Sequence, residues 1–282
     1  MIAAGAPAPA ATMEHVGTFV WRDSADSFGG FSGIEVGQDG QTFYTVSDRA
    51  HLYWGNFQRD ADGRILAADI EGRAHLRNSH GVPLKPGYLG DSEGLAVAQD
   101  GTIWVSFEGL DRLISYDHPE AAATTHPRPP ELPGMKVNAG LEALAIRDDG
   151  TIFAIPERSG GEHRPFPILT FRDEQWGTAG EIRRDPRWLP VGADFGPDGW
   201  LYLLERDFKG ILGFTARVRR MQITDDGPQN EQILLETGQM QYDNLEGIAV
   251  WQDDQGIRIT LVSDDNFLIL QRTELVEYRL RD

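Results

Sequence analysis

The chain has 282 residues, with 44 Asp and Glu against 26 Lys and Arg and a formal net charge of −18. Such a surface repels nucleic acid and anionic membranes, and no run approaches the roughly 18 apolar residues of a membrane span. The absence of Cys excludes disulfides and thiolate metal sites.

Only Lys85, Lys136 and Lys209 are lysines. The remaining cations are planar Arg forks suited to carboxylate or phosphate, a bias that high-GC codon usage explains about as well. Residues 1–13, rich in Ala and Pro, read as a leader remnant or disordered tail that resembles the region just after a secretory signal. One domain is expected over residues 14–282. The run Glu14-His15-Val16-Gly17-Thr18-Phe19-Val20-Trp21 reads as an outer strand.

A unit then recurs down the chain. Its clearest copy runs from Asp91-Ser92-Glu93-Gly94-Leu95-Ala96-Val97 through an Asp100-Gly101 turn to Ile103-Trp104-Val105-Ser106-Phe107-Glu108. This is two short strands joined by a tight turn. Gly40, Gly101, Gly150 and Gly199 each follow an Asp, and eight residues upstream of them lie Ser32, Glu93, Glu142 and Val191. A fifth copy, with a longer turn, puts Glu246 in that place. Recurrence at intervals of roughly 50 residues, with several short strands per interval, predicts a β-propeller.

Third strands are expected at 112–116, 166–171 and 215–223, with a further one at 231–235. Residues 118–133, rich in Pro, Ala and Thr, read as a loop. The hairpins count five blades in a single all-β domain. Residues 52–89 are long enough to hide the strands of a sixth. After the fifth hairpin only the strand 273–280 remains, so the N-terminal strand is expected to pair beside it and close the ring.

Innermost strands of a propeller line its channel. One mouth would then carry Ser32, Glu93, Glu142, Val191 and Glu246, with Asp48, Glu108, Glu157, Glu205 and Asp264 from the ends of the second strands around them. So many carboxylates in one place demand protons, Arg neighbours or a cation. Ca²⁺ suits them best, because it takes six to eight hard oxygens. Zn²⁺ suits them less, since the seven His show no close ligand spacing. The bland alternative is that acids at strand ends are solvated loop residues whose recurrence was inherited by duplication. Arg49, Arg158 and Arg206 follow or replace the second acid and either clamp an anionic substrate group or neutralise the acids.

A second position in phase carries Glu35, Ala96, Ala145, Asp194 and Ala249. Its two acids either face a wet channel or pair with Arg. Tyr44, Trp104, Phe153 and Tyr202 read as packing between blades. His51, His80 and His163 lie in loops that could reach the mouth. There is no Gly-x-Ser-x-Gly elbow, Walker loop or Gly-x-Gly-x-x-Gly.

Five segments carry a resemblance. They are Ser32-Gly33-Ile34, Asp91-Ser92-Glu93-Gly94-Leu95-Ala96, Gly140-Leu141-Glu142-Ala143-Leu144-Ala145, Asn244-Leu245-Glu246-Gly247-Ile248-Ala249, and Val262-Ser263-Asp264-Asp265-Asn266-Phe267 followed by Gln271-Arg272-Thr273. Together they resemble the phytase-like propeller family, often called "esterase-like activity of phytase", over residues 19–280. The closing Ser-Asp-Asp-Asn-Phe…Gln-Arg-Thr set is the most specific part. The resemblance implies a propeller, commonly exported in bacteria, with a hydrolase-type name. It carries over Glu93, Glu142, Glu246, Asp264, Asp265, Asn266 and Arg272, the last as a catalytic group or as a structural clamp.

The expectation is a periplasmic or secreted, calcium-dependent propeller hydrolase acting on a phosphoester or a carboxylic ester. Glu93, Glu142 and Arg272 are its catalytic candidates. Arg49, Arg158, Arg206 and Asn266 would bind substrate, and Glu93, Glu142, Glu246, Asp48, Glu108, Glu157 and Asp264 would hold metal. The alternative is a non-catalytic propeller that binds a small ligand, a sugar or a metal at the same mouth; a scaffold using the outer rim is a third reading. Phytate, a dense polyanion, needs bound cation to approach such a surface. A monomer working on a small molecule is expected, without nucleic acid or membrane insertion.

Overall fold

The computed structural model describes residues 11–132, 140–210, 213–268 and 270–281. After β1 (Thr12–Trp21) the chain forms four consecutive four-stranded antiparallel sheets. Blade 1 holds β2 (Phe31–Val36), β3 (Thr42–Ser47), β4 (His51–Arg59) and β5 (Ile65–His75). Blade 2 holds β6 (Ser92–Val97), β7 (Ile103–Phe107), β8 (Arg112–Tyr116) and β9 (Thr124–Thr125). Blade 3 holds β10 (Ala143–Ile146), β11 (Ile152–Ile155), β12 (Phe166–Arg172) and β13 (Gln175–Ile182). Blade 4 holds β14 (Leu189–Phe195), β15 (Leu201–Phe208), β16 (Phe214–Thr224) and β17 (Gly227–Glu236).

Blade 5 is composite: β18 (Asn244–Asp253), β19 (Gly256–Asp264) and β20 (Thr273–Arg281) take β1 as their fourth strand. The β1–β20 ladder runs from Thr12 opposite Arg281 to Trp21 opposite Thr273. Each innermost strand touches the next round the ring, β2 to β6, β6 to β10, β10 to β14, β14 to β18 and β18 back to β2. The protein is thus a five-bladed β-propeller closed by its N-terminal strand. Residues 52–89 hold the two long outer strands of blade 1, and no sixth blade exists among the described residues. Thr12 and Met13, assigned by composition to the tail, belong to β1. Residues 1–10 lie outside the described residues.

The first two strands of blades 1–4 are joined by the same turn. Gly40, Gly101, Gly150 and Gly199 adopt φ between 67° and 89°, a region open to Gly at no steric cost. The preceding Asp accepts the amide hydrogen two residues on: Asp39 from Gln41, Asp100 from Thr102, Asp149 from Thr151 and Asp198 from Trp200. The Asp-Gly pair therefore fixes both the turn and the phase of the strands it joins.

The core is divided into five apolar clusters, one between each pair of neighbouring blades. Phe153 and Tyr202 are buried in two of them, as the packing role requires. Trp21 stands between blades 5 and 1, stacked on Phe31 with ring centres 5.3 Å apart and edge-on to Phe28 and Phe43. Arg59 of β4 ties the same two blades with a bidentate bond to Glu277 of β20, at 2.7 and 2.9 Å.

Candidate functional site

Ser32, Val191 and Glu246 occupy register shifts in their inner strands, and Glu93 occupies one together with Gly94. Glu142 lies just before the first ladder pair of blade 3, Ala143 opposite Ile155. A bulge removes one residue from the ladder and re-aims its side chain, which brings Glu93 and Glu246 to the mouth, whereas Val191 packs in the core between blades 4 and 5. The next residue is Gly33, Gly94, Gly192 or Gly247, because the neighbouring inner strand passes directly over it. A Cβ on Gly94 would lie 2.5 Å from Leu144 Cβ and 2.7 Å from the Glu142 carbonyl oxygen. Between these glycines the axis of the ring holds a space of only about 10 Å³.

On the mouth side the second strands end in phase. Main-chain bonds join Asp48 to Gly30, Glu108 to Asp91 and Glu157 to Gly140, and the ladders set Arg206 opposite Leu189 and Asp264 opposite Asn244. The fourth member of this ring is Arg206. Glu205, expected here, is 0% exposed and points the other way, accepting from Arg217 Nε at 2.7 Å and Arg219 Nε at 2.8 Å. Successive strand residues face opposite sides, so a one-residue offset exchanges an acid for a base at the channel.

Arg206 divides the mouth. It bonds Glu246, reaches Glu157 Oε1 at 3.1 Å and lies 3.9 Å from Glu142 Oε2. Asn244 completes this half, donating to Glu246 Oε1 at 2.7 Å. The other half gathers three acids. Asp91, Glu93 and Glu108 bring carboxylate oxygens within 4.8 Å of one another. Among the described residues none of the three forms a salt bridge. Asp91 stands where blades 1 and 3 have Gly30 and Gly140, so only blade 2 assembles three acids.

Burial, and then the neighbouring acids, hold the Glu93 carboxyl well above the ordinary range. Glu108 is raised in the same way, and Asp91 by burial. Asp48 is pushed up to about 7 by burial and by Asp264. Burial lifts Asp264 to about 6 against the Asn266 amide hydrogen that it accepts. Glu142 is raised well above its usual value by burial and Glu157, against the pull of Arg206. Two further oxygens wait without a hydrogen-bond partner, Ser32 Oγ and Asp48 Oδ1, the serine only 3% exposed. An all-oxygen set of clustered acids, short of compensating charge, fits a hard divalent ion such as Ca²⁺.

The remaining candidates are distributed as follows. Arg158 bonds Glu157 Oε2 at 3.2 Å with its side chain 69% exposed. Arg49 lies 3.2 Å over the Phe267 ring. Arg272 donates to Asp243 and pairs with Glu274 at 3.1 Å, both at the end of blade 5. Asn266 and Phe267 take positive φ in the turn after β19. Asp265 ties that turn to blade 1 through the Gly30 amide. His51 opens β4 and stacks on His75 with centroids 4.3 Å apart, while His80 and His163 are exposed in turns. Glu35 and Asp194 lie at the other end of the channel, and neither forms an ion pair with Arg among the described residues. Asp91 is the site residue that ring position alone misses; its signal is an acid where the other copies have Gly30, Gly140, Leu189 and Asn244.

A family model described as Phytase-like, esterase-like activity of phytase, matches residues 26–267. No curated protein matches the chain. Among solved structures, the PQQ-bound aldose sugar dehydrogenase of Streptomyces coelicolor is 13% identical, with a TM-score of 0.51 over 98% of this chain and 100% of that one. A gluconolactonase of Xanthomonas campestris is 14% identical, with a TM-score of 0.46 over 88% of this chain and 72% of that one. Regucalcin, a calcium-binding protein of Agrobacterium tumefaciens, is 14% identical, with a TM-score of 0.45 over 83% of this chain and 67% of that one. At these identities the likeness concerns the fold.

Proposed function

From a chain that belongs to the phytase-like (esterase-like activity of phytase) family, we infer a hydrolase working at the acidic mouth with a calcium-type ion held by Asp91, Glu93 and Glu108. The carrying observation is the grouping of those three carboxylates within 4.8 Å, none of them in a salt bridge among the described residues. A bound divalent ion supplies the positive charge that polarises an ester oxygen. Glu142, its carboxyl raised by burial and Glu157, is the residue that exchanges a proton with water or the leaving group. Arg206 keeps Glu142 in place and stops the far half of the mouth from competing for the ion. Arg158, half tethered to Glu157 and half in solvent, receives the anionic side of a substrate. In this reading Glu93 is a ligand and not the base, and Arg272 holds the loop before β20.

A carboxylic ester suits the mouth better than a phosphoester. Phe208 at the end of β15, and Met240 and Leu268 on connections of the same face, stand exposed, favouring an apolar group beside the reacting ester. Lys209, the lysine of that loop, is paired with Asp207. The family resemblance also supports a periplasmic or secreted monomer, where a weak calcium site fills at millimolar levels; cell fractionation and light scattering test these two points.

The experiment is a calcium titration of the melting temperature, with hydrolysis of p-nitrophenyl acetate and p-nitrophenyl phosphate measured alongside. Calcium should raise the melting temperature by mass action and chelator should lower it. Asp91→Asn should abolish the shift. Glu142→Gln should cut acetate turnover by about 100-fold, the scale of general acid–base help, and keep most of the shift. If no divalent ion moves the wild-type melting curve, the metal-assisted hydrolase is rejected. Calcium binding without turnover of either ester leaves the non-catalytic binding propeller.

A further inference from the structure

The mouth on the side of the Asp-Gly turns opens into a cavity of about 610 Å³. Glu35, Tyr44, Val97, Ile146, Asp194 and Phe195 line it. This is the size of a small-molecule pocket, and it lies at the opposite end of the inner strands from Asp91, Glu93 and Glu108. At its floor are the only two acids of the inner ring otherwise made of Ala96, Ala145 and Ala249. Asp194 is 7% exposed and accepts the Val250 amide hydrogen at 2.6 Å, and Glu35 accepts that of Val97. Among the described residues neither carboxyl has a cationic partner. Burial and then the Asp194 charge raise Glu35 well above the ordinary range, and burial lifts Asp194 to about 7.

We propose that this turn-side mouth is a second binding site, which takes a small organic cation: an ammonium group on a compact apolar stem. The rim is acidic as well. Asp100 accepts from Thr102, Asp148 from Gln99, and Asp149 from Arg147 and Arg172. Arg147, the one Arg lining the cavity, is held by Asp149 and lies over Phe153 at 5.1 Å. An anion therefore finds no free positive group. A hard divalent ion needs six to eight oxygens, and the floor offers two side chains already accepting main-chain hydrogens. An ammonium ion needs less: two carboxylate acceptors for its hydrogens and aromatic faces for the adjacent carbon, which Tyr44 and Phe195 supply. Val97 and Ile146 accommodate the stem. On binding, the proton retained by the Glu35–Asp194 pair leaves to solvent, both carboxylates ionise, and the ammonium takes its place with charge conserved.

Benzylammonium is the probe and neutral benzyl alcohol its control, by isothermal titration near pH 7 in two buffers of different ionisation enthalpy. Benzylammonium should bind at least about tenfold more tightly than the alcohol, with heat that depends on the buffer because a proton is released. Glu35→Gln and Asp194→Asn should each weaken it about tenfold or more. Tyr44→Leu, at a half-buried wall position, should weaken it as well and serves if a floor variant fails to fold by circular dichroism. Equal affinity for the ammonium and the alcohol, undiminished binding in the folded floor and wall variants, or saturation by calcium chloride in place of the amine would each overturn the proposal.

Discussion

Arg206 follows its turn glycine, Gly199, by seven residues, as Glu108 follows Gly101 and Glu157 follows Gly150. Counting from the turn therefore puts a base in the acid ring, whereas counting acids puts Glu205 there. The strand's period of two decides for Arg206. Glu93 and Glu142 were legible by counting back from the turn, and Glu246 by its Leu-Glu-Gly-Ile-Ala segment. Asp91 was not, because its counterparts in phase, Gly30, Gly140, Leu189 and Asn244, include no other acid. The imbalance left at the mouth has a pH signature. Asp48 and Asp264 have folded values of about 7 and about 6, both raised by burial first. A raised carboxyl contributes stability in full below its unfolded value, and that contribution is lost as pH rises through the folded value. Asp253, held at about 2 by its Arg279 and Arg258 bonds against burial, acts only at lower pH. The melting temperature in chelator should therefore fall between about pH 5 and about pH 8, and the calcium-induced rise should be larger at the upper end. A metal-free curve that is flat or rising over this window would show that the mouth carboxylates are ionised and already compensated.

At the scale of the element, the hairpins were legible because Asp-Gly turns and alternating apolar residues specify local structure. The long outer strands β4 and β5 were not resolved from a hidden sixth blade, since their pairing depends on partners across the sheet. The bulges carry the link from strand to site. Those at Glu93 and Glu246 turn an acid to the mouth, and the glycine that follows allows the next inner strand to close over it. Gly94 tests this. Its missing Cβ leaves room for Leu144, Ser106 Oγ and the Glu142 carbonyl, two of which belong to the strand segment carrying Glu142. Gly94→Ala should destabilise the protein by about 1–3 kcal/mol through overpacking, read by urea unfolding. It should also disturb calcium binding, because Glu93 precedes it. Gly101→Ala makes a useful comparison, since its site has open space but φ of 89°. It should cost backbone strain with little effect on calcium. Equal loss of calcium response in both variants would mean that global destabilisation, not displacement of Glu93, is responsible.

For the whole molecule the decisive join is between the two ends of the chain. Without β1, β20 would present its unpaired main chain to solvent, and blade 5 would keep three strands. Trp21 would leave a space among Phe28, Phe31 and Phe43 at the seam of blades 5 and 1. The bond from Arg59 to Glu277 would remain, so the seam would loosen at its outer edge first. Two variants separate pairing from packing. Trp21→Ala keeps the strand and removes the ring, at a cost of about 3–5 kcal/mol. In a chain of this size that lowers the melting temperature by roughly 10 °C, at the 2–4 °C per kcal/mol of larger domains. Deleting residues 1–21 removes both strand and ring and should lower it further, with a gain in self-association as the β20 edge seeks a partner. Supplying residues 12–21 as a separate peptide should reverse that self-association. If the truncated chain melts at the wild-type temperature and stays monomeric, β1 does not close the ring. If it melts only as low as Trp21→Ala, the aromatic seam accounts for the closure and the β1–β20 ladder adds little.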